Sequence, residues 1–419
     1  MSGAPVLRKV QQRSRYPYFK MVFSYFIAPL LFAVPILGST SSANPPGLCR
    51  ALPEDITFKN NPDLPNPFAF FDGHPVESQT QWNCRREEIS QLFQRFELGT
   101  LPPRPESVNG SFSNGVLTVN AAEGANSISF QVQISKPANG TAPFPAVIAI
   151  GGSSLPIPSD VSVITFNNND IALQNDQTSR GVGKFFQLYG TNHSAGALIA
   201  WTWGISRIID VLEMTEGHNI DVKRLGVTGC SRNGKGAYVA GAFEPRIALT
   251  LVQESGSGGA GCWRISDHML NFQNITTQTA SEIVQENVWF SENFNPFVNN
   301  VTLLPFDHHM LAGLVAPRGL LVIDNTGIDW LGPESVWGCQ TTGRLIYDAL
   351  GVSSSMGVTQ EGNHAHCALP ADQAPDVDAF ITRFLKSQHA NTTIVNTDGA
   401  NNVGFVASDY VNWKVPRLH

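Results

Sequence analysis

The segment Leu225-Gly-Val-Thr-Gly-Cys-Ser-Arg-Asn-Gly-Lys-Gly236 sets a serine where chemistry can use it. A β-branched, apolar run ends at Gly229, Ser231 follows, and a helix-compatible stretch runs from Ala237 to Phe243. Strand, tight turn and helix in that order lift a hydroxyl above the edge of a sheet, and the next helix N-terminus aims amide groups at the reacting centre. Such a serine becomes a nucleophile once a base takes its proton and donors hold the oxyanion that forms. The usual Gly-x-Ser-x-Gly spacing is broken here: Asn233 takes the second glycine position and Gly234 comes one residue later. Spacing alone suits an ordinary loop serine equally well; the strand–turn–helix context favours the nucleophile.

A nucleophile of this kind draws on a histidine late in the chain, and Gly362-Asn-His-Ala-His-Cys367 offers His364 and His366. Cys230 precedes the serine and Cys367 follows His366. A bridge between those cysteines would hold their Cα atoms about 4.4–6.8 Å apart and bring Ser231 and His366 within side-chain reach, which favours His366. The carboxylate that orients the imidazole is Glu254, Asp324 or Asp329, all near predicted strand ends, and pattern does not choose among them. Arg232 follows the serine where an oxyanion would form, and Lys235 lies on the first turn of the same helix. Both charges suit a sugar acid better than a neutral ester, although surface solvation by itself accounts for Lys235. His308 and His309 beside Asp307, even with the two late histidines, complete no well-spaced ligand set, so neither metal nor cofactor is expected.

The elements that must carry these groups alternate along the chain. Phe144–Ile150 is a continuous apolar run opening into Gly151-Gly152-Ser153-Ser154, as a buried central strand would. Further strands are predicted at Leu225–Thr228, Ile247–Val252, Gly319–Ile323 and Ser355–Thr359. Helices are predicted at Trp82–Leu98, Gly196–Leu212, Thr341–Leu350 and Pro375–Leu385. Ser111–Ala121 and Ser127–Ser135 alternate as an antiparallel hairpin. The expected fold class is α/β: an α/β-hydrolase fold, a three-layer sandwich with a mostly parallel central sheet and an antiparallel N-terminal hairpin. It fills one catalytic domain over residues 44–390, followed by a tail at 391–419, with no repeat or appended binding module.

Of the 419 residues, 42% are hydrophobic and 15% charged, a globular balance, and the net charge of −7 excludes an electrostatic case for nucleic acid. Arg8, Lys9, Arg13, Arg15 and Lys20 precede the apolar run Met21–Leu37 and the small residues Ser41-Ser42-Ala43. That describes a secretory signal over 1–43, with Met21 an alternative start, and no membrane association after cleavage. Six cysteines suit an oxidising compartment. So do acceptor sequons at Asn109, Asn139, Asn192, Asn274, Asn300 and Asn391.

Taken together, the motifs resemble those of the fungal glucuronoyl esterases, carbohydrate esterase family fifteen. They are Gly229-Cys-Ser-Arg-Asn-Gly-Lys-Gly236, Gln253-Glu-Ser-Gly-Ser-Gly-Gly259, Gln278-Thr-Ala-Ser-Glu-Ile-Val284, Glu286-Asn-Val-Trp289, Phe306-Asp-His-His309, Ile328-Asp-Trp-Leu331 and His364-Ala-His-Cys367. The resemblance implies Glu254 as the triad acid and His366 as the base, and bridges Cys49–Cys84, Cys230–Cys367 and Cys262–Cys339. It implies that Arg232 helps form the oxyanion hole and that Lys235, Gln278, Glu286 and Trp330 hold a glucuronate ring. The implied activity is hydrolysis of the ester between 4-O-methyl-glucuronate of glucuronoxylan and lignin alcohols, by a secreted monomer. An acetyl-xylan or cutinase-like esterase would share the triad without a use for Lys235, Gln278 and Glu286. An inactive hydrolase fold serving as a binding protein would not need the intact set.

Overall fold

A computed structural model describes residues 49–398 and 404–418; the expected signal over 1–43 lies outside them. The strands are β1 Ser107–Ser113, β2 Val116–Glu123, β3 Asn126–Ile134, β4 Phe144–Ile150, β5 Ser162–Phe166, β6 Ile220–Cys230, β7 Ile247–Gln253, β8 Gly319–Asp324, β9 Met356–Gln360 and β10 Val395–Thr397. They form one sheet in the order β1-β2-β3-β5-β4-β6-β7-β8-β9-β10. Pairing is antiparallel from β1 through the β3–β5 contact and parallel from β5 to β10.

The parallel strands are apolar on both faces because both faces are covered. Val147, Leu251 and Leu321 pack in a cluster with Val377, Phe380 and Ile381 of the helix Ala374–Phe384. Their chain neighbours Ile148, Val252 and Val322 point the other way, into the larger cluster with the helices Ala197–Met214 and Arg232–Phe243. The period-2 geometry of a strand therefore makes this a three-layer α/β sandwich. No helix among the described residues is long and apolar enough to cross a membrane.

Two regions differ from expectation. Ser111–Ala121 is not one strand of a hairpin but turns back at Asn114 (φ 51°) and Gly115 (φ 80°), so that β1, β2 and β3 form a three-stranded meander. An Asn-Gly pair supplies the two positive φ angles that a tight hairpin turn needs. The chain beyond 390, expected as a tail, packs on the domain: β10 adds to β9 in parallel, Leu64 N–H donates to Tyr410 O at 2.8 Å, and Trp413 Nε1 donates to Leu64 O at 2.9 Å. The folded unit runs past the expected boundary.

Candidate active site

Ser231 stands between the end of β6 and the helix Arg232–Phe243, with φ 60° and ψ −128°. A side-chain-bearing residue rarely takes that conformation, and here the neighbours enforce it. Ser231 N–H donates to Gln253 O at 3.0 Å and Ser231 O accepts from Lys235 N–H at 3.0 Å. Crowding dictates where glycine must stand. A Cβ at Gly229 would lie 2.3 Å from Asn233 O, and one at Gly234 would lie 2.6 Å from Gln253 O. Asn233 can replace the customary glycine because its side chain crosses the edge, accepting at Oδ1 from Asn168 Nδ2 at 3.1 Å. It also lies against Gly151 in the loop after β4, where a Cβ would stand 2.4 Å from its Nδ2.

Glu254 follows β7 with φ 41° and a buried side chain; its N–H donates to Ile323 O at 2.7 Å. Its Oε2 meets His366 Nδ1 at 2.8 Å and accepts from Cys367 N–H at 3.0 Å. The other ring nitrogen, His366 Nε2, is shielded from solvent and has no hydrogen-bond partner. The ring lies within 4.8 Å of the sulfurs of Cys230 and Cys367, which are bonded to each other with Cα atoms 5.8 Å apart. Bonded sulfurs cannot act as thiolate ligands, so this cluster is not a metal centre. Cys49 is bonded to Cys84, and Cys262 to Cys339.

The alternatives separate in space. His364 is satisfied locally, with Nε2 on Glu361 O at 2.9 Å and Nδ1 on Ala365 O at 3.1 Å, and only 3.8 Å contact to Glu254 Oε1. Asp324 is buried and takes Gln360 Nε2–H at 2.8 Å, and its second oxygen has no partner. Burial pushes its carboxyl up to about 7, with nearby Glu254 adding to the shift. Asp329 is exposed. His308 bridges Glu97 Oε1 and Gly259 O, each at 2.7 Å, and His309 Nε2 bonds Pro65 O at 2.9 Å, so both are structural.

Lys235 is buried, and its Nζ donates to the carbonyls of Ser255 and Ser257, the latter at 2.8 Å. Burial, then the charge of Arg232, pushes its pKa down to about 7. The indole of Trp289 lies under both cations, 5.2 Å from Lys235 Nζ and 5.8 Å from the Arg232 guanidinium. Trp330 meets the His366 ring edge to face at 4.9 Å and is 39% exposed. Gln278 N–H donates to Trp330 O at 3.1 Å, which fastens the two segments together. Glu286 ends the helix Ala280–Glu286 and is exposed.

A family model described as "Glucuronyl esterase, fungi" matches residues 119–351. The 4-O-methyl-glucuronoyl methylesterase of Hypocrea jecorina is 54% identical over 370 residues, 88% of this chain and 79% of that relative. The chain belongs to the fungal glucuronyl esterases. They are carboxylic ester hydrolases of carbohydrate esterase family 15. The solved glucuronoyl esterase catalytic domain from Hypocrea jecorina superposes with a TM-score of 0.85, 54% identity, and coverage of 88% of this chain and 100% of that one. A serine-to-alanine mutant of the Sporotrichum thermophile glucuronoyl esterase matches with a TM-score of 0.84, 47% identity and coverage of 88% and 100%. That protein was solved in complex with methyl 4-O-methyl-β-D-glucopyranuronate.

Around the esterase's serine, sequence reasoning missed a supporting layer. Gln253 takes Ser154 Oγ–H at its Oε1 and reaches Glu254 Oε1 with its Nε2 at 3.5 Å. Gln174 holds the Trp289 indole N–H at 2.6 Å, and Gln177 Nε2 donates to Val284 O and Asn287 O around the end of the Glu286 helix. Isolated glutamines carry no local signature; the nearest signal was Gln253 in the motif that contains Glu254.

Proposed function

We propose that the protein is a secreted serine esterase that hydrolyses the ester between 4-O-methyl-D-glucuronic acid of glucuronoxylan and a lignin alcohol, acting as a monomer through Ser231, His366 and Glu254. The reading rests on the 2.8 Å contact of His366 Nδ1 with Glu254 Oε2, on a ring whose Nε2 is unpartnered and which the Cys230–Cys367 bridge tethers beside Ser231. A carboxylate on Nδ1–H selects the tautomer in which Nε2 is the base, and stabilises the imidazolium that follows.

In this cycle Nε2 takes the Ser231 proton as Oγ attacks the uronoyl carbonyl carbon. The oxyanion rests on Arg232 and on backbone amides at the start of the helix Arg232–Phe243. Collapse breaks the bond to the alcohol, which departs with the proton from Nε2, and water then releases the acid by the same steps in reverse. Neither metal nor cofactor enters the cycle. The names of the relatives and the ligand in the Sporotrichum thermophile complex support the glucuronate half. Lys235, Gln278, Glu286 and Trp330 hold its ring, and the exposed indole of Trp330 offers an apolar surface to a bulky aromatic alcohol.

Hydrolysis of benzyl and methyl D-glucuronate esters should exceed that of acetyl and long-chain acyl esters. Ser231→Ala should lower kcat by at least about 10⁴-fold with the chain still folded. A preference for acetyl esters, or an undiminished rate in the variant, overturns the reading.

A further inference from the structure

The folded chain treats its sequon asparagines differently. Asn109 takes Asn120 Nδ2–H at 3.1 Å, Asn139 Nδ2 donates to Ser159 Oγ at 2.9 Å, Asn300 takes Thr302 Oγ1–H at 2.5 Å, and Asn391 takes Thr393 N–H at 3.0 Å. The amides of Asn192 and Asn274 have no hydrogen bond among the described residues and are free to aim a substituent. Of these two, Asn274 has an exposed phenyl ring nearby in the chain. Phe272, two residues earlier, is 80% exposed, the most exposed large hydrophobic residue described.

The backbone holds this pair in place. Phe272 follows the helix Trp263–Asn271, its N–H donates to His268 O at 2.9 Å, and Ile275 N–H donates to Met269 O at 2.9 Å. Asn274 between them takes the left-handed conformation, φ 56°, that closes a helix end. The His268 imidazole stacks on the Phe272 ring at 5.1 Å and 23°, leaving the other face to solvent. Cα atoms two residues apart stand at most about 7 Å apart, a span that the first sugar on Asn274 is long enough to cover. A pyranose presents an apolar C–H face that suits the electron-rich face of an aromatic ring.

We propose that Asn274 carries an N-linked glycan whose first N-acetylglucosamine lies on the free face of Phe272 and stiffens the connection to Gln278. The inference rests on the proposed passage through the secretory pathway. There, Asn274 Nδ2 bonds to C1 of the first sugar of a lipid-pyrophosphate-linked oligosaccharide. The C1–O bond breaks, the lipid pyrophosphate leaves with the bonding pair, and the amide gives up one proton.

Thr276 is exposed and makes no hydrogen bond among the described residues, so Thr276→Ala removes the sequon and leaves Asn274 to close the helix. Secreted from yeast as the full chain and trimmed with an endoglycosidase, the protein should yield an Asn274 peptide heavier by one N-acetylhexosamine. Thr276→Ala and Phe272→Ala should each lower Tm by about 2 °C, and the double variant should lose no more than either alone. A bare Asn274 beside occupied sequons elsewhere, or Tm losses that add, overturns the inference. If the full chain is retained in the cells and not secreted, the secretory assignment falls with it.

Discussion

Two buried carboxylates end neighbouring strands, and only one of them touches an imidazole. Glu254 accepts from Cys367 N–H and bonds His366, while Asp324 accepts from Gln360 and keeps an oxygen unpartnered. Glu254→Gln should therefore lower kcat by about 10³–10⁴-fold with little change in KM, because the amide disturbs the tautomer and no longer stabilises the imidazolium. Asp324→Asn should leave kcat within a few-fold and act on stability instead. Folding raises the Asp324 pKa from 3.8 to about 7, so the folded protein holds a proton that the unfolded chain has lost. The stabilisation from this group is present below about pH 4 and is lost as pH rises through about 7. Denaturant unfolding of Asp324→Asn at pH 4 and pH 8 should show that slope reduced; an unchanged slope rejects the assignment.

At the scale of elements, a disulfide joins the turn that bears Ser231 to the loop that bears His366 across a sequence separation of 137. By loop-closure entropy such a bridge contributes up to about 5 kcal/mol. Replacing Cys230 and Cys367 together by serine should lower the unfolding free energy toward that limit, and also lower kcat under conditions where the variant is folded. Intact kcat in the folded variant would mean that packing alone holds the imidazole. The strand and helix that flank Ser231 were legible because both carry strong local patterns. The N-terminal meander was misread because the Asn114-Gly115 turn interrupts an alternation that continues on both sides of it. Ser162–Phe166, which became β5, is too short for its period to stand out.

For the whole molecule, the segment beyond 390 reaches back to the site. Asp398 accepts from Gly362 N–H at 2.8 Å and from Thr326 Oγ1–H at 2.6 Å, binding the loop that bears His366 to the loop that leads to Trp330. Asp398→Ala should reduce kcat by about 10-fold and leave the global unfolding midpoint within a few degrees, since it removes two exchangeable hydrogen bonds rather than apolar core. A fall in Tm with unchanged kcat would assign the residue to stability alone. From the sequence by itself came the strand–turn–helix at Ser231, the covered parallel sheet and the cysteines flanking serine and histidine, because each is written in neighbouring residues. Residue pattern left Glu254 and Asp324 open and only the resemblance favoured Glu254; the tertiary structure puts the Glu254 carboxylate on the imidazole and shows that the closing segment clamps both loops. Adjacent parallel strands deliver their ends to the same edge, so which side chain meets which is set by packing between residues over a hundred positions apart.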